Sequence, residues 1–236
     1  MKIEVLFPEV ANLYGDHFNP KYLAQCNSKI KLIHTSLTDE PTFLKEAVKM
    51  IYLGPMSETN QALVIDKLMP YKQKIKALID DGIIFLVTGN ALEVFGEYIL
   101  DGKQKIMSLG IFKYHTIRDL DHRHNSLFLG TYEDIKLVGY KSQFSRTISP
   151  KNPFIKVIRG CGFNNDDDLN EGFNYHNFFG TYLLGPLFVI NPLFTKKILR
   201  LLGLDDTLAF EKEAIKAYET RLKEYEDEKV IMMATH

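Results

Sequence analysis

Residues 83–96, IIFLVTGNALEVFG, set a run of strand formers directly before a Gly-Asn turn and a helical pattern. A strand–turn–helix of this kind can hold its apex residue in a strained conformation, aim the side chain at a pocket and offer the next amide to an oxyanion. The apex here is Gly89, which accepts that geometry without steric cost but has no side chain with which to attack. Thr88 precedes it and, by the alternation of side chains along a strand, points away from the pocket. A threonine nucleophile also needs a base, and no histidine lies near it in sequence. Asn90 can hydrogen-bond through its amide but is no nucleophile.

The remaining chemistry-bearing residues form no recognisable constellation. His115, His122, His124 and His176 lack carboxylate or thiolate partners at metal-ligand spacing, so His122-Arg123-His124 reads as a solvated basic loop. Asp166-Asp167-Asp168 lacks the alternation and distal glutamate of a calcium loop and reads as a solvated acidic turn. Cys26 and Cys161 fit neither a CxxC nor a zinc pattern; both read as buried structural thiols in a reducing cytoplasm. No P-loop and no GxGxxG occur, and neither metal nor cofactor is expected.

The elements that must carry these residues are legible from periodicity. Short apolar or β-branched runs predict strands at 2–6, 29–35, 49–53 and 83–88, and helical patterns fall at 20–27, 39–48 and 58–81. The last of these divides near Pro70, which suits a first helical turn better than an interior, and Gly82 is placed to cap it. Such alternation predicts an α/β fold of flavodoxin type, a mainly parallel twisted sheet flanked by helices, with ligands beyond the carboxyl ends of its strands. Shorter strands follow at 104–113, 126–132, 134–141, 154–159, 172–175 and 178–184, then helices at 192–202 and about 206–229. Ile215, Tyr218, Leu222 and Tyr225 line one seam of that last helix, facing either the rest of the chain or a partner. The 236 residues are read as one domain, 1–236.

Charge and hydropathy narrow the partners. With 29 basic and 30 acidic residues, no global field recruits nucleic acid or an anionic membrane. MKIEVLFPEV is a strand rather than a signal peptide, and YLLGPLFVI falls far short of the ~20 residues of a membrane span. A cytoplasmic chain without membrane insertion is expected.

Four segments, in order, resemble one family. FPEVANLYGDHFN (7–19) resembles the NLYGDRGN loop of the glutaminase subunit of lipid II isoglutaminyl synthase, one of the class I, cobyric-acid-synthase-like glutamine amidotransferases. IYLGPMSE (51–58) is similar to the family's GGGQD segment, and LVGYKSQFSRT (137–147) to GFENHxGRT. RGCGFNNDDDLNEGFNYHNFFGTYLLGPLFVINP (159–192) resembles GxGNNxxDxxEG followed by GTYLHGPLLxxNP. The resemblance implies a fold built for glutamine hydrolysis: an elbow cysteine attacks the amide, a histidine activates it, and ammonia passes to a Mur-ligase-like subunit that amidates the peptidoglycan stem peptide.

The same alignment implies that the catalysts are gone. Setting CGGxQxxG on GNALEVFG puts Gly89 at the cysteine and Glu93 at the glutamine, and GTYLLGP puts Leu184 at the histidine. Lys141, Ser142 and Gln143 replace Glu, Asn and His, whereas Arg146 and Thr147 remain. Gly54 remains in the oxyanion loop, but Pro55 has no N–H to donate. Gly54, Asn90, Gln143 and Arg146 are then a vestigial substrate pocket. The leading expectation is a degenerate subunit that supports or regulates a Mur-ligase-like partner. A second is a module binding a glutamine-like ligand or other carboxylate through Arg146, with Gly89 and Leu184 enlarging and drying the pocket. A third is an altered amidohydrolase that uses Cys26 or Cys161.

Overall fold

The computed structural model describes residues 1–148, 151–163 and 168–233. Its larger sheet has ten strands in the order β14-β9-β8-β11-β12-β13-β4-β3-β1-β2. The parallel half is β2 (Lys31–Thr35), β1 (Lys2–Leu6), β3 (Met50–Leu53), β4 (Ile84–Thr88) and β13 (Phe178–Thr181). The other half is antiparallel: β12 (Asn170–Tyr175), β11 (Pro153–Arg159), β8 (His124–Tyr132), β9 (Ile135–Gln143) and the two-residue β14 (Leu183–Leu184). The α/β class is as expected, and the short strands of the second half extend the same sheet rather than decorating it. A second sheet, β10-β7-β5-β6, is formed by β5 (Tyr98–Asp101), β6 (Gln104–Met107), β7 (His115–Arg118) and β10 (Ser145–Ile148).

Strand alternation explains why the large sheet is buried on both faces. In β4, Phe85 and Val87 enter one apolar cluster with α2 (Glu58–Leu68) and α3 (Lys72–Asp80), while Ile84 and Leu86 enter another. That second cluster holds Leu23 of α1 (Phe18–Cys26), Leu187 and Phe188 of α4 (Leu187–Ile190) and Phe194 of α5 (Pro192–Leu201). Both-face burial of a parallel strand demands a continuous apolar run, which is what IIFLV supplies. The 58–81 pattern divides at Met69–Tyr71, a 3₁₀ turn containing Pro70. Gly82, at φ +77°, then closes α3: its N–H reaches the Ile79 carbonyl and the Ile83 N–H reaches Leu78, a Schellman cap.

The last helix, α6 (Glu211–Glu226), lays Tyr218 and Tyr225 on Leu129 and Val138, with Leu222 partly buried beside them. The seam therefore faces the chain's own sheet. Arg159 holds its far end by donating to the carbonyls of Tyr225, Asp227, Glu228 and Val230.

Three local expectations are corrected. Residues 39–48 make only a 3₁₀ turn at Thr42–Leu44: Pro41 stands extended before it at ψ 136°, and the buried Glu4 carboxylate accepts the turn's first N–H groups, Thr42 and Phe43, at 2.6 and 2.8 Å. The 104–113 strand stops at Met107. The turn after β4 continues as a 3₁₀ helix, Gly89–Phe95, rather than an α-helix. Of the acidic loop, 164–167 lie outside the described residues. Among the described residues, no helix is long and apolar enough to cross a membrane.

Candidate functional site

In the parallel half β1 lies between β2 and β3, so the chain reverses its winding direction there. The loops beyond the carboxyl ends of β1, β3 and β4 converge at that switch point, as in other open α/β sheets. They enclose a cavity of about 130 Å³ lined by, among others, Tyr14, Pro55, Asn90, Arg123, Gln143 and Leu184. That is well below the ~300–1,000 Å³ of an ordinary small-molecule pocket.

Gly89 forms the cavity floor with φ +60°, the left-handed conformation that an exposed apex requires and that only glycine adopts without strain. A Cβ placed on Gly89 would stand 2.6 Å from Pro55 Cβ and 3.3 Å from Leu184 Cδ2. The two positions that the resemblance assigns to nucleophile and base therefore face each other across the cavity, and a proline ring stands against the first. Pro55 and Leu184 fill this space, so the pocket is narrowed rather than enlarged; the expectation of a roomier cavity is corrected here.

Asn90 joins the turn to the loop after β3. Its Oδ1 accepts from the Met56 N–H at 3.0 Å, and its Nδ2 donates to the Met56 carbonyl at 2.8 Å. Its side chain is consumed by this zipper. Gln143 lines the cavity and donates to the Ser145 carbonyl at 2.6 Å, while its Oε1 is buried without a hydrogen-bond partner among the described residues.

Two expected site residues are not at the cavity. Gly54 is packed against Ala11 O and Tyr52 OH, where any Cβ would come within 2.8 Å of both. Arg146 is exposed on β10, opposite Ile117. The guanidinium at the mouth belongs to Arg123, from the loop expected to be merely solvated. Arg123 donates to Tyr14 OH at 2.5 Å and lies over the Phe144 ring, 4.9 Å from its centroid. Tyr14 itself holds φ +59°, a strained conformation for a bulky residue. A basic residue between two histidines gave no sign of this role in sequence; only the return of β8 beside β9 brings it to the NLYGD loop.

Beneath the turn, charge is buried in two networks. Thr88 Oγ1 donates to Asp16 Oδ2, and Tyr52 OH lies 3.0 Å from the same oxygen, so the threonine is turned away from the cavity as alternation requires. Burial raises the Asp16 carboxyl to about 6, against the lowering effect of those hydroxyl donors. Glu93, at the cavity's inner wall, accepts from Gln61 Nε2 at 3.0 Å and from Tyr182 OH at 3.2 Å, with Arg118 Nη2 3.6 Å away. Burial pushes the Glu93 carboxyl up and Arg118 opposes it. Behind β9, the ammonium of Lys141 donates to the Cys161 and Gly162 carbonyls at 3.2 and 2.6 Å and sits 3.9 Å from Glu171.

No cysteine or histidine lines the cavity among the described residues. Nor do three or more His, Cys, Asp or Glu groups converge anywhere among them to hold a metal. His115 stacks on Tyr98, His122 pairs with Asp119, and His176 packs edge-on against Tyr175. The two cysteines are elsewhere, Cys26 at the end of α1 and Cys161 buried after β11.

A model of the CobB/CobQ-like glutamine amidotransferase domain matches residues 2–191. This chain belongs to that family. It is 28% identical over 193 residues to the GatD subunit of lipid II isoglutaminyl synthase (glutamine-hydrolyzing) from Staphylococcus aureus strain N315, covering 80% of this chain and 78% of that one. It is 27% identical over 202 residues to the GatD subunit from Streptococcus pneumoniae strain ATCC BAA-255/R6, covering 79% and 74% respectively. A crystal structure of a glutamine amidotransferase superposes with a TM-score of 0.58 at 11% identity, covering 86% of this chain and 99% of that one, a likeness of fold alone.

Proposed function

We propose that this chain is a catalytically degenerate glutamine-amidotransferase-like subunit that supports or regulates a Mur-ligase-like partner in peptidoglycan amidation. The observation that carries the reading is Gly89 at φ +60° with Leu184 and Pro55 packed against the place its side chain would take. The backbone of a nucleophile elbow is present, the nucleophile and base positions are glycine and leucine, and the intervening space is filled. Loss of the attacking group alone removes several orders of magnitude in rate. The retained segments mainly shape loops and surface, which suits a subunit whose task is contact rather than turnover. The similarity to GatD subunits of lipid II isoglutaminyl synthase supports the cell-wall context, and a ligase partner and a cytoplasmic location are part of the proposal.

The test has two parts. The purified chain, given glutamine, is expected to release no ammonia above a no-protein control. Co-expressed with the Mur-ligase-like protein of its host, it is expected to co-purify with it and to change its amidating activity or stability. Ammonia release by the purified chain, or no association with any such ligase, overturns the proposal.

A second reading, a small-carboxylate binding module, is favoured by one observation: Arg123 is preorganised at the mouth by Tyr14 and Phe144. The small cavity weighs against any sizeable ligand. An altered amidohydrolase has less support still. Cys161 is buried, burial raises the Cys26 thiol, and neither lines the cavity.

A further inference from the structure

We infer that His17 and His34 form a two-histidine chelate for a divalent first-row transition metal, on the face of the sheet edge formed by β2. His17 is the residue immediately before α1, and His34 is the penultimate residue of β2, the edge strand of the ten-stranded sheet. The NLYGD loop anchors Asp16 beneath Thr88 of β4, and α1, which begins directly after His17, packs beside β2 and so brings the two rings together. Neither residue takes part in the cavity described above.

The geometry is that of two ligands sharing one ion. The Nε2 atoms are 3.3 Å apart and the ring centroids 5.1 Å apart, with the planes at 85°. Two imidazole nitrogens bound tetrahedrally at 2.0–2.1 Å stand about 3.3–3.4 Å from one another, and their ring centroids about 5.2 Å apart. Two rings pointing straight at each other across the observed nitrogen separation would instead have centroids about 5.6 Å apart, on the same ring dimensions. The observed centroid separation of 5.1 Å is closer to that of the bent arrangement than to that of the head-on one.

The chemistry of the donors selects the ion. Two imidazoles suit zinc, nickel and copper, whereas calcium and magnesium demand oxygen ligands. Lys21, one turn along α1, is the cation whose field reaches His17. Its charge opposes every divalent cation alike, so the donor atoms alone make the choice. Among the described residues no third His, Cys, Asp or Glu converges here, so the remaining coordination positions go to water or to an incoming donor. His17 is half-buried and His34 exposed, which leaves those positions accessible.

Tag-free protein titrated with nickel chloride at pH 7.5 by calorimetry tests this directly. A saturable one-to-one isotherm is expected in the wild type. His17→Ala and His34→Ala should each weaken it by roughly tenfold or more, while His122→Ala, at a loop histidine hydrogen-bonded to Asp119, should leave it unchanged. Substoichiometric nickel should broaden two histidine ring signals first in the proton NMR spectrum, and both should be those that disappear in the two alanine variants. No saturable binding, or equal binding in wild type and both variants, overturns the chelate and leaves the pair as two rings joined by a hydrogen bond between their Nε2 atoms.

Discussion

Placing a catalytic cysteine at Gly89 should yield no activity unless Pro55 is also removed. A Cβ on Gly89 would lie 2.6 Å from Pro55 Cβ, roughly 1 Å inside the 3.5–4.0 Å optimum for carbon–carbon contact. The proline is ring-constrained and its carbonyl already accepts from the Leu13 N–H at 3.0 Å, so it cannot turn aside cheaply. Overpacking of this kind costs about 1–3 kcal/mol. Holding a non-glycine residue at φ +60° adds about 1–2 kcal/mol. Gly89→Ala should therefore destabilise by about 2–5 kcal/mol, of which only the overpacking part depends on residue 55.

A double-mutant cycle separates the two parts. Urea unfolding of wild type, Gly89→Ala, Pro55→Gly and the pair should yield a coupling of about 1–3 kcal/mol, with Gly89→Ala milder when Pro55 is absent. The same logic extends to activity. Gly89→Cys with Leu184→His should remain silent in an ammonia assay, and adding Pro55→Gly should give the first measurable release. A coupling indistinguishable from zero, or activity in the double variant equal to that of the triple, would refute the claim that the proline ring occupies the nucleophile's place.

Other consequences follow from the buried charges and the C-terminal clamp. Asp16 titrates at about 6 in the fold against its ordinary 3.8, so its protonated form is the one the fold prefers; the associated stability is full below about pH 4 and lost as pH rises through 6. Relative to Asp16→Asn, the wild type should thus lose up to about 3 kcal/mol between pH 4 and 7, measured by urea unfolding across that range; parallel pH curves would contradict this. Arg118→Leu should cost about 3–5 kcal/mol by stranding the Glu93 carboxylate, and adding Glu93→Gln should recover much of it. If the second substitution recovers nothing, the pair is not the source of the loss. Arg159→Ala removes a guanidinium from four carbonyls and should release the segment after α6, seen as faster proteolysis near residues 227–233 with the sheet's amide exchange unchanged.

What sequence could and could not show divides along physical lines. The parallel strands and the cap at Gly82 were legible because each is dictated by local pattern: apolar runs, a breaker, a residue that accepts positive φ. The missing helix at 39–48 was not, because its first turn is held by Glu4 on β1, a partner that local pattern does not reveal. Pro41, extended at ψ 136°, starts the segment late, and the turn that follows is anchored to the Glu4 carboxylate at 2.6 and 2.8 Å. Strands β5 and β7 escaped for a related reason: four residues carry too little periodicity to be told from loop, and their pairing, not their composition, makes them strands.

The candidate site shows the same division at finer scale. Gly89, Leu184, Asn90 and Gln143 reach one cavity, since each sits at a strand end or turn whose place in the sheet follows from the winding order. Arg146 does not, because β10 leaves the large sheet to pair with β7, and this carries Arg146 to the surface while Arg123 arrives from the other side. Pro55 was visible in sequence as a missing N–H donor. Its larger effect is steric, and that depends on the 2.6 Å separation across two loops. On the proposed reading, a missing catalyst is visible at one position, whereas the filling of the space beside it depends on both positions at once. The silence expected of the Gly89→Cys, Leu184→His variant therefore says more about descent than the silence of the wild type. A recently idled enzyme would regain some activity when its catalysts are replaced, whereas one whose pocket has been repacked needs the third change.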